Sequence, residues 1–120
     1  MNKSQQTGLG ARVIRLAREF SSTPGARYRA DGDWSGQQFR EDILEPAYRE
    51  AARTSGKVVV DLDECEGFAT SFLEEAFGGL ARKLGSSDRV LNTVAVTSSD
   101  EPGLVADVEY YIQHALDEDH

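Results

Sequence analysis

Two adjacent hydroxyl side chains, Thr70 and Ser71, are the residues of this chain best placed to do chemistry. They follow an acidic turn and stand where an amphipathic helix is predicted to begin. The first turn of a helix has unpaired backbone N–H groups and a partial positive charge, which favour an oxyanion or a phosphate. The position is therefore typical of a regulatory switch. It is not an obvious catalytic position, because Ser71 has no histidine nearby in the sequence to act as its base.

A purely structural role is also open for Ser71. Ser71 and Glu74 have the spacing of a capping box, in which the hydroxyl accepts a hydrogen bond from the backbone N–H of the glutamate. This pattern predicts Ser71 as the N-cap of the helix. The helix itself is predicted from an apolar stripe at helical spacing, formed by Leu73, Ala76, Phe77, Leu80, Ala81 and Leu84.

Gly78 and Gly79 lie inside this predicted helix. Two glycines there cost roughly 2 kcal/mol relative to two alanines. Such a cost indicates that something approaches the helix backbone closely on that face. Either a neighbouring element of the same chain packs there, or a partner protein does.

Length and charge limit the function classes. The 120 residues fit one domain with a single core and carry a net charge of −8. Residues 1–60 hold 10 Lys or Arg and 7 Asp or Glu, whereas residues 61–120 hold 3 and 14. The acidic half would repel phosphates, so a basic protein partner is favoured over nucleic acid. The sequence has no long apolar run and no signal peptide, so no membrane contact and a cytoplasmic location are expected.

Known sequence motifs for catalysis and for metal binding do not occur. There is no Gly-x-Ser-x-Gly elbow and no phosphate loop, so the chain is predicted not to be an enzyme. Residues 61–66 are acidic but lack the EF-hand spacing, and a solvated turn is favoured over a cation site. Acidic neighbours of Cys65 disfavour its thiolate, which predicts an unreactive thiol. No metal and no cofactor are expected.

The start of the domain is predicted to be a pair of strands. Residues 11–20 satisfy both strand and helix patterns, and a strand is favoured because a turn signal leads into a second short strand at residues 27–29. These two strands would pair in the antiparallel direction. The predicted limits of the chain are a disordered lead-in at residues 1–10, one domain at 11–116 and an acidic tail at 117–120.

Helices and strands alternate in the rest of the chain. Ser35 and Gln38 form another capping box, which opens a helix that Pro46 is predicted to kink or split. The β-branched run at residues 58–62 predicts a buried strand. The remaining predicted elements are a loop at 85–88, a strand at 91–97 and a helix from Pro102. The order β-β-α-β-α-β-α predicts an α/β fold with a mixed sheet covered by helices.

Three segments of the chain carry a family resemblance. They are P-G-A-R-Y-R-A-D-G-D-W-S-G-Q-Q-F-R (24–40), I-L-E-P-A (43–47) and V-V-V-D-L-D-E-C-E-G-F-A-T-S-F-L-E-E-A-F-G-G-L (58–80). Together they resemble the STAS-like family of unknown function, a bacterial branch related to the STAS domains of sulfate transporters and anti-sigma-factor antagonists. The resemblance covers residues 14–112 and implies a single STAS-like domain. The block S-F-L-E-E-A-F-G-G-L is its most specific part.

The resemblance implies a role for the hydroxyl pair. In anti-sigma-factor antagonists this junction carries Asp-Ser-Ser-Gly, and a kinase of the histidine-kinase-like ATPase superfamily phosphorylates the second serine. Ala69, Thr70, Ser71 and Phe72 match the four positions, so Ser71 matches the phosphoacceptor and Thr70 lies beside it. Ala69 and Phe72 depart from the pattern. The implied function is a non-enzymatic docking module that phosphorylation of Ser71 releases from its partner.

The partner implied by the resemblance is a protein, either a histidine-kinase-like ATPase or an anti-sigma factor. The expected contact surface lies around the hydroxyl pair and consists of Asp63, Glu64, Gly67, Phe72, Glu75, Gly78 and Gly79.

Two other functions are open. In a small-molecule or nucleotide sensor, Arg27 or Arg29 would hold an anionic ligand at the helix start beside Ser71. The structural alternative for Arg27 is a salt bridge to Glu75 or an exposed charge. A purely structural subunit, including a homodimer, is the third possibility.

Overall fold

Three parallel strands form the sheet of the domain in a computed structural model, which describes residues 10–117. The lead-in and the tail predicted from the sequence fall, for residues 1–9 and 118–120, outside the described residues. The strands, in their spatial order, are β1 (Ala11–Arg15), β2 (Lys57–Asp61) and β3 (Val94–Thr97).

Each of the two long helices contains a π-helical turn. Helix α2 comprises Gly36–Phe39, the π-helical turn Arg40–Leu44 and Glu45–Thr54. Helix α3 comprises Thr70–Leu73, the π-helical turn Glu74–Gly78 and Gly79–Leu84. The other α-helices are α1 (Leu16–Glu19), α4 (Ser87–Thr93) and α5 (Gly103–Gln113), and Arg29–Asp31 form a short 3₁₀ helix.

The helices cover one face of the sheet. Helix α2 connects β1 to β2, and α3 and α4 connect β2 to β3. Right-handed crossovers between strands in sequential order all pass over the same face, which accounts for this arrangement. The fold is α/β, and β2 confirms the strand predicted from the β-branched run. The covered face of the sheet carries the buried side chains Ile14, Val58, Val60, Val94 and Val96.

The antiparallel strand pair predicted at the start of the domain is wrong. Strand β1 pairs with β2 in parallel, and residues 27–29 form no strand. The carbonyl oxygens of Ala26 and Arg27 accept hydrogen bonds from the backbone N–H groups of Gly36 and Gln37, both at 2.9 Å. This stretch therefore holds the start of α2 and is unavailable for strand pairing. Within the described residues the sheet is parallel, not mixed, and the second predicted strand does not occur.

The region before β3 also differs from the prediction. The Ser86 hydroxyl accepts a hydrogen bond from the backbone N–H of Arg89 at 3.2 Å and so caps α4. A helix therefore replaces the second half of the predicted loop and the first part of the predicted strand, and the strand begins only at Val94. In α2, the predicted capping by Ser35 is confirmed, because its hydroxyl accepts the N–H of Gln38 at 3.0 Å.

A buried ion-pair network joins the helices. Glu74 lies 2.6 Å from Nη1 of both Arg27 and Arg82. Arg40 of α2 lies 2.9 Å from Glu75 and also pairs with Glu45. The three carboxylates are no more than 9 % exposed, and three guanidinium groups balance their charge. The members of this network are Arg27, Arg40, Glu45, Glu74, Glu75 and Arg82.

The π-helical turn of α3 lets two neighbouring carboxylates share the same cations. Adjacent side chains on an α-helix diverge by about 100°. Glu75 nevertheless lies 3.7 Å from Arg27 and 3.6 Å from Arg82, the two arginines that Glu74 contacts. Both glutamates belong to the π-helical turn Glu74–Gly78, whose wider winding changes the angle between successive side chains.

The two glycines of α3 leave room for this network. A Cβ atom on Gly78 would lie 2.6 Å from Oε2 of Glu74, and one on Gly79 would lie 2.8 Å from Nε of Arg40. Each glycine stands four residues after a buried glutamate, so the segment Glu-Glu-x-x-Gly-Gly acts as one structural unit. The neighbour that packs on Gly78 and Gly79 belongs to the same chain, which was one of the two alternatives that the sequence left open.

The substitution Gly79→Ala is expected to lower the free energy of unfolding by about 1–3 kcal/mol, because the new methyl group would displace Arg40 from its buried partners. In an unobstructed helix the same change is stabilising by roughly 1 kcal/mol. Urea unfolding followed by circular dichroism measures the difference. Gly103→Ala is the matched control, since a Cβ at Gly103 meets no atom within 4 Å. Equal stability of the two variants would contradict the steric role of Gly79.

Candidate functional site

Helix α3 begins without a side-chain cap. Its N-cap is Ala69, whose side chain makes no capping hydrogen bond, and helical geometry starts at Thr70. The predicted capping by Ser71 is therefore wrong. Because the helix begins at Thr70, Ser71 lies inside its first turn and cannot be its N-cap. The carboxylate of Glu74, the other half of the predicted capping box, binds Arg27 and Arg82 in the buried network.

The hydroxyl pair lies in the first turn of α3. Thr70 is exposed and Ser71 is half-buried. Phe72 donates its backbone N–H to the carbonyl of Ala69 at 3.0 Å. The amides that precede Phe72 in the first turn are those that a helix leaves without intrahelical partners. A phosphate on Thr70 or Ser71 would stand next to these N–H groups and the positive end of the helix dipole.

A group of aromatic side chains flanks the start of α3. Phe68 lies 5.7 Å from Phe72, and Phe20 lies 6.2 Å from Phe72 and 5.5 Å from Trp34, between ring centroids. Trp34 is 44 % exposed, and Phe20 and Phe68 are half-buried. We call Phe20, Trp34 and Phe68 the aromatic rim. Phe72 itself is fully buried beneath it.

The backbone brings Trp34 to this site. A Cβ atom on Gly36 would lie only 2.4 Å from the carbonyl oxygen of Phe72, so the start of α2 presses against the first turn of α3. Trp34 has a φ of +60°, which is unfavourable for a side chain of its size. The aromatic rim was not predicted from the sequence, because its residues are far apart in the chain. The one available signal was the lone tryptophan beside the turn residues Gly32 and Asp33.

The acidic turn before α3 is fastened to the turn after β3. The carboxylate of Asp63 accepts hydrogen bonds from the backbone N–H groups of Ser99 and Asp100, both at 2.8 Å. The bonds from Asp100 and Ser99 hold the pKa of Asp63 below its usual range. Asp63 therefore has an internal role in addition to its predicted place on a contact surface. Glu64 is exposed and lies 3.3 Å from Arg18.

Cys65 lies between these turns. Its thiol is 3.7 Å from the carbonyl oxygen of Ser21. Burial, together with the charges of Asp61, Asp63 and Glu64, raises the pKa of the thiol to about 11. The prediction of an unreactive thiol agrees with this environment.

Several predicted contact residues lie inside the domain. Phe72, Glu75, Gly78 and Gly79 are all buried, so they form no outward surface in the folded chain. Gly67 is exposed, as is Glu64.

The two arginines proposed for an anionic ligand have carboxylate partners. Arg27 lies 2.6 Å from Glu74 and 3.7 Å from Glu75, so the salt bridge to Glu75, the structural alternative for Arg27, is present. Arg29 lies 2.9 Å from Glu41 and 2.7 Å from Asp42. Arg27, Tyr28 and Arg82 line a cleft of about 570 Å³ together with Glu74 and Glu75.

A larger groove, of about 800 Å³, runs between β1 and α2. It contains none of the residues proposed from the sequence as site residues, and it lies beside the edge strand instead of the start of α3. Within residues 10–117, no three His, Cys, Asp or Glu side chains are arranged to hold a metal ion. In the same part of the chain, no helix has the length and hydropathy to cross a membrane.

The bonds of Asp63 predict an effect of pH on the turn after β3. Folding lowers the pKa of Asp63, so the carboxylate stabilises the folded turn. This stabilisation is fully present above the pKa that Asp63 has in the unfolded chain, and it is lost as pH falls through the lower pKa that Asp63 has in the folded chain. We expect Asp63→Asn to speed amide hydrogen exchange at Ser99 and Asp100 near neutral pH, and the wild type to approach the variant in acid. Asp107→Asn, on the exposed side of α5, is the control. Unchanged exchange at both amides would refute the role.

The environment of Cys65 predicts slow alkylation. A rise of its pKa to about 11 leaves little thiolate at mildly alkaline pH. We expect iodoacetamide to modify the folded protein roughly tenfold to a hundredfold more slowly than the urea-unfolded protein. Mass spectrometry over time measures both rates. Similar rates in the two states would show that the thiol is neither shielded nor electrostatically disfavoured.

A family model described as a STAS-like domain of unknown function matches residues 35–104, which is more than half of the chain. No curated protein and no solved structure matches the chain. The matched range begins at the N-cap of α2 and ends in the first turn of α5, so it contains the start of α3 and both glycines. The chain therefore belongs to the STAS-like domain family.

Proposed function

We propose that this domain is a non-enzymatic regulatory module that binds a protein partner around the start of α3 and is released when Thr70 or Ser71 is phosphorylated. The observation that supports this most directly is the helix start itself. Thr70 is exposed there and Ser71 is half-buried, the N-cap residue Ala69 makes no side-chain capping hydrogen bond, and the aromatic rim lies beside the helix start.

The aromatic rim supplies the kind of surface that protein partners use. Aromatic side chains give large contact areas and are enriched where interfaces are strongest. Trp34 is 44 % exposed although it is the bulkiest residue in the chain, and its unfavourable φ is retained in the folded domain. We assign the contact surface to the rim, to Thr70 and Ser71, and to the exposed residues Glu64 and Gly67. This surface replaces Phe72, Glu75, Gly78 and Gly79, which are buried.

The charge around the site favours a partner with basic groups. Exposed carboxylates lie on the turns that follow β2 and β3, and positively charged partner residues would complement them. These carboxylates are Glu64, Glu66, Asp100 and Glu101. The proposed partner is an anti-sigma factor or a histidine-kinase-like ATPase, by analogy with the antagonists that the family resembles.

Phosphorylation would disrupt such a complex through desolvation. A phosphate adds about −1.5 to −2 charges and three acceptor oxygens. In the free domain, the dipole and first-turn amides of α3 would stabilise it beside Thr70 or Ser71. In the complex, the same dianion would have to lose water next to Phe68 and the partner surface, which is costly.

A sensor for an anionic small molecule is the weaker proposal. The cleft at Arg27 and Arg82 has two cations, but Glu74 and Glu75 already neutralise them. An anion would therefore have to displace a buried carboxylate before it could bind. A ligand that raises the melting temperature of the domain would favour the sensor.

The proposal is tested by affinity capture from the native host with wild-type and variant proteins. Thr70→Asp and Ser71→Asp are each expected to reduce recovery of the partner at least tenfold, whereas Thr70→Ala retains it. Asn92→Asp is a control that adds the same charge at the opposite end of the sheet, where Asn92 is exposed. Mass spectrometry identifies the partner and locates phosphate.

Two results would contradict the proposed function. One is equal recovery of the partner by wild type and by both aspartate variants. The other is the complete lack of phosphate on Thr70 and Ser71 in protein purified from growing and from starved cells.

A further inference from the structure

Arg27 bridges two neighbouring carboxylates of α3. Its Nη1 lies 2.6 Å from Oε1 of Glu74 and 3.7 Å from Oε1 of Glu75. The side chain of Arg27 is 32 % exposed, whereas the side chains of the two glutamates are no more than 9 % exposed. The guanidinium group therefore lies at the outer boundary of the buried network, where a group outside the network can reach it.

Ser71 lies one helical turn before this bridge. Residues three and four positions apart are neighbours on the surface of a helix, and Glu74 and Glu75 are the third and fourth residues after Ser71. Helical side chains also lean toward the N-terminus of their helix. This direction brings both carboxylates, and the guanidinium group that they bind, toward Ser71.

The neighbouring hydroxyl of Thr70 has different surroundings. Adjacent residues on a helix diverge by about 100°. The third residue after Thr70 is Leu73, which is buried in the core. Of the two hydroxyl residues, Ser71 is therefore the one that has both bridged carboxylates as its neighbours and shares a helix face with Arg27.

We propose, on the basis of the function proposed above, that Arg27 binds the phosphate that a kinase transfers to Ser71. In the transfer, Oγ of Ser71 bonds to the γ-phosphorus of a nucleoside triphosphate, and the bond from that phosphorus to the β-phosphate oxygen breaks. The hydroxyl proton passes to a base of the kinase. The phosphate oxygens on Ser71 then accept hydrogen bonds from Nε and Nη2 of Arg27, whereas a phosphate on Thr70 does not reach this arginine.

Arg27 has donors for this phosphate. Both of its contacts with the carboxylates are made by Nη1, and a guanidinium group has five N–H donors on three nitrogens. Nε and Nη2 together form a planar edge that suits two oxygens of one phosphate. The bond from Nη1 to Glu74 is kept. A phosphate attached to Ser71 also loses little freedom on binding, unlike the free anion considered for a sensor.

The charges around Ser71 favour the contact because of their distances. The carboxylates of Glu74 and Glu75 oppose the phosphate, but they lie about one helical turn, roughly 5 Å, along the helix and are bound by arginines. A charge-assisted hydrogen bond to Arg27 spans only about 2.8 Å. Since Coulomb energy falls with distance, the nearer cation dominates. Arg82 adds a second cation on the same side of the cleft.

This contact sets the direction of the switch. Arg27 belongs to the loop that carries Trp34 of the aromatic rim, because the N–H of Gly25 donates to the carbonyl of Trp34 at 2.8 Å and the N–H of Gly36 donates to that of Ala26 at 2.9 Å. A phosphate held by Arg27 is part of the domain's own surface and is not offered to a basic group of a partner. Phosphorylation of Ser71 therefore releases a partner and does not recruit one.

NMR of the full chain in three forms tests the proposal. The forms are the unmodified chain, Ser71→phosphoserine and Thr70→phosphoserine, made by incorporating phosphoserine during translation, so that neither a kinase nor a partner is needed. The measured quantity is the exchange with water of the Nε–H proton of Arg27, whose signal is assigned with Arg27→Lys. We expect this exchange to slow roughly tenfold in Ser71→phosphoserine and to stay near the unmodified rate in Thr70→phosphoserine.

A stability cycle gives a second measurement. Arg27→Lys keeps a positive charge beside Glu74 but lacks the planar edge that binds phosphate. The loss of melting temperature that it causes is measured in all three forms. We expect this loss to be about 3 °C larger in Ser71→phosphoserine than in the other two forms. If Arg27→Lys does not fold, the exchange measurement still decides, because it compares forms in which Arg27 is intact.

Equal Nε–H exchange in the two phosphoserine proteins would overturn the proposal. An equal cost of Arg27→Lys in all three forms would do the same. Both measurements use the isolated domain, so their failure is distinguishable from failure of the proposed function, which appears as equal recovery of the partner by wild type and by both aspartate variants.

Discussion

The pairing of Glu74 and Glu75 with three arginines is the interaction on which the rest of the domain depends. These carboxylates come from one turn of α3, and their partners come from the segment before α2, from α2 itself and from the end of α3. A buried carboxylate without a partner is strongly destabilising, so each partner element is held in place by the need to neutralise it. The network therefore fixes α2 and the segment before it against α3.

The candidate site follows from the same interaction. Glu74 binds Arg27 and Arg82 in the middle of α3, and the N-cap of the helix is Ala69, whose side chain makes no capping hydrogen bond. In a helix with a capping box, a serine hydroxyl would occupy the first-turn amides. Here the polar groups that stabilise the fold are drawn to the middle of α3, and its beginning is left accessible.

Local sequence patterns predicted the helices and strands better than they predicted which residues contact one another across the fold. The helical stripe of α3, the cap at Ser35 and the run that forms β2 could be read from a few neighbouring residues, because each depends on local spacing. The failures at Ser71 and at residues 27–29 share one cause, which is a contact across the fold. Glu74 has the spacing of a cap but a stronger partner 47 residues away, and Arg27 lies in a strand-like sequence whose backbone binds α2. The aromatic rim likewise joins residues that no local pattern connects.

The glycine pair also constrains how this sequence can vary. Gly79 accommodates Arg40, and Arg40 in turn pairs with Glu45 and Glu75. A change at Gly79 alone would therefore produce a steric clash with Arg40, and a change at one of the charged residues alone would leave its partner without a counter-charge. The effects of substitutions at these positions are therefore non-additive. Related chains should alter them only as a set, so positions distant in sequence should covary while the exposed surface diverges freely.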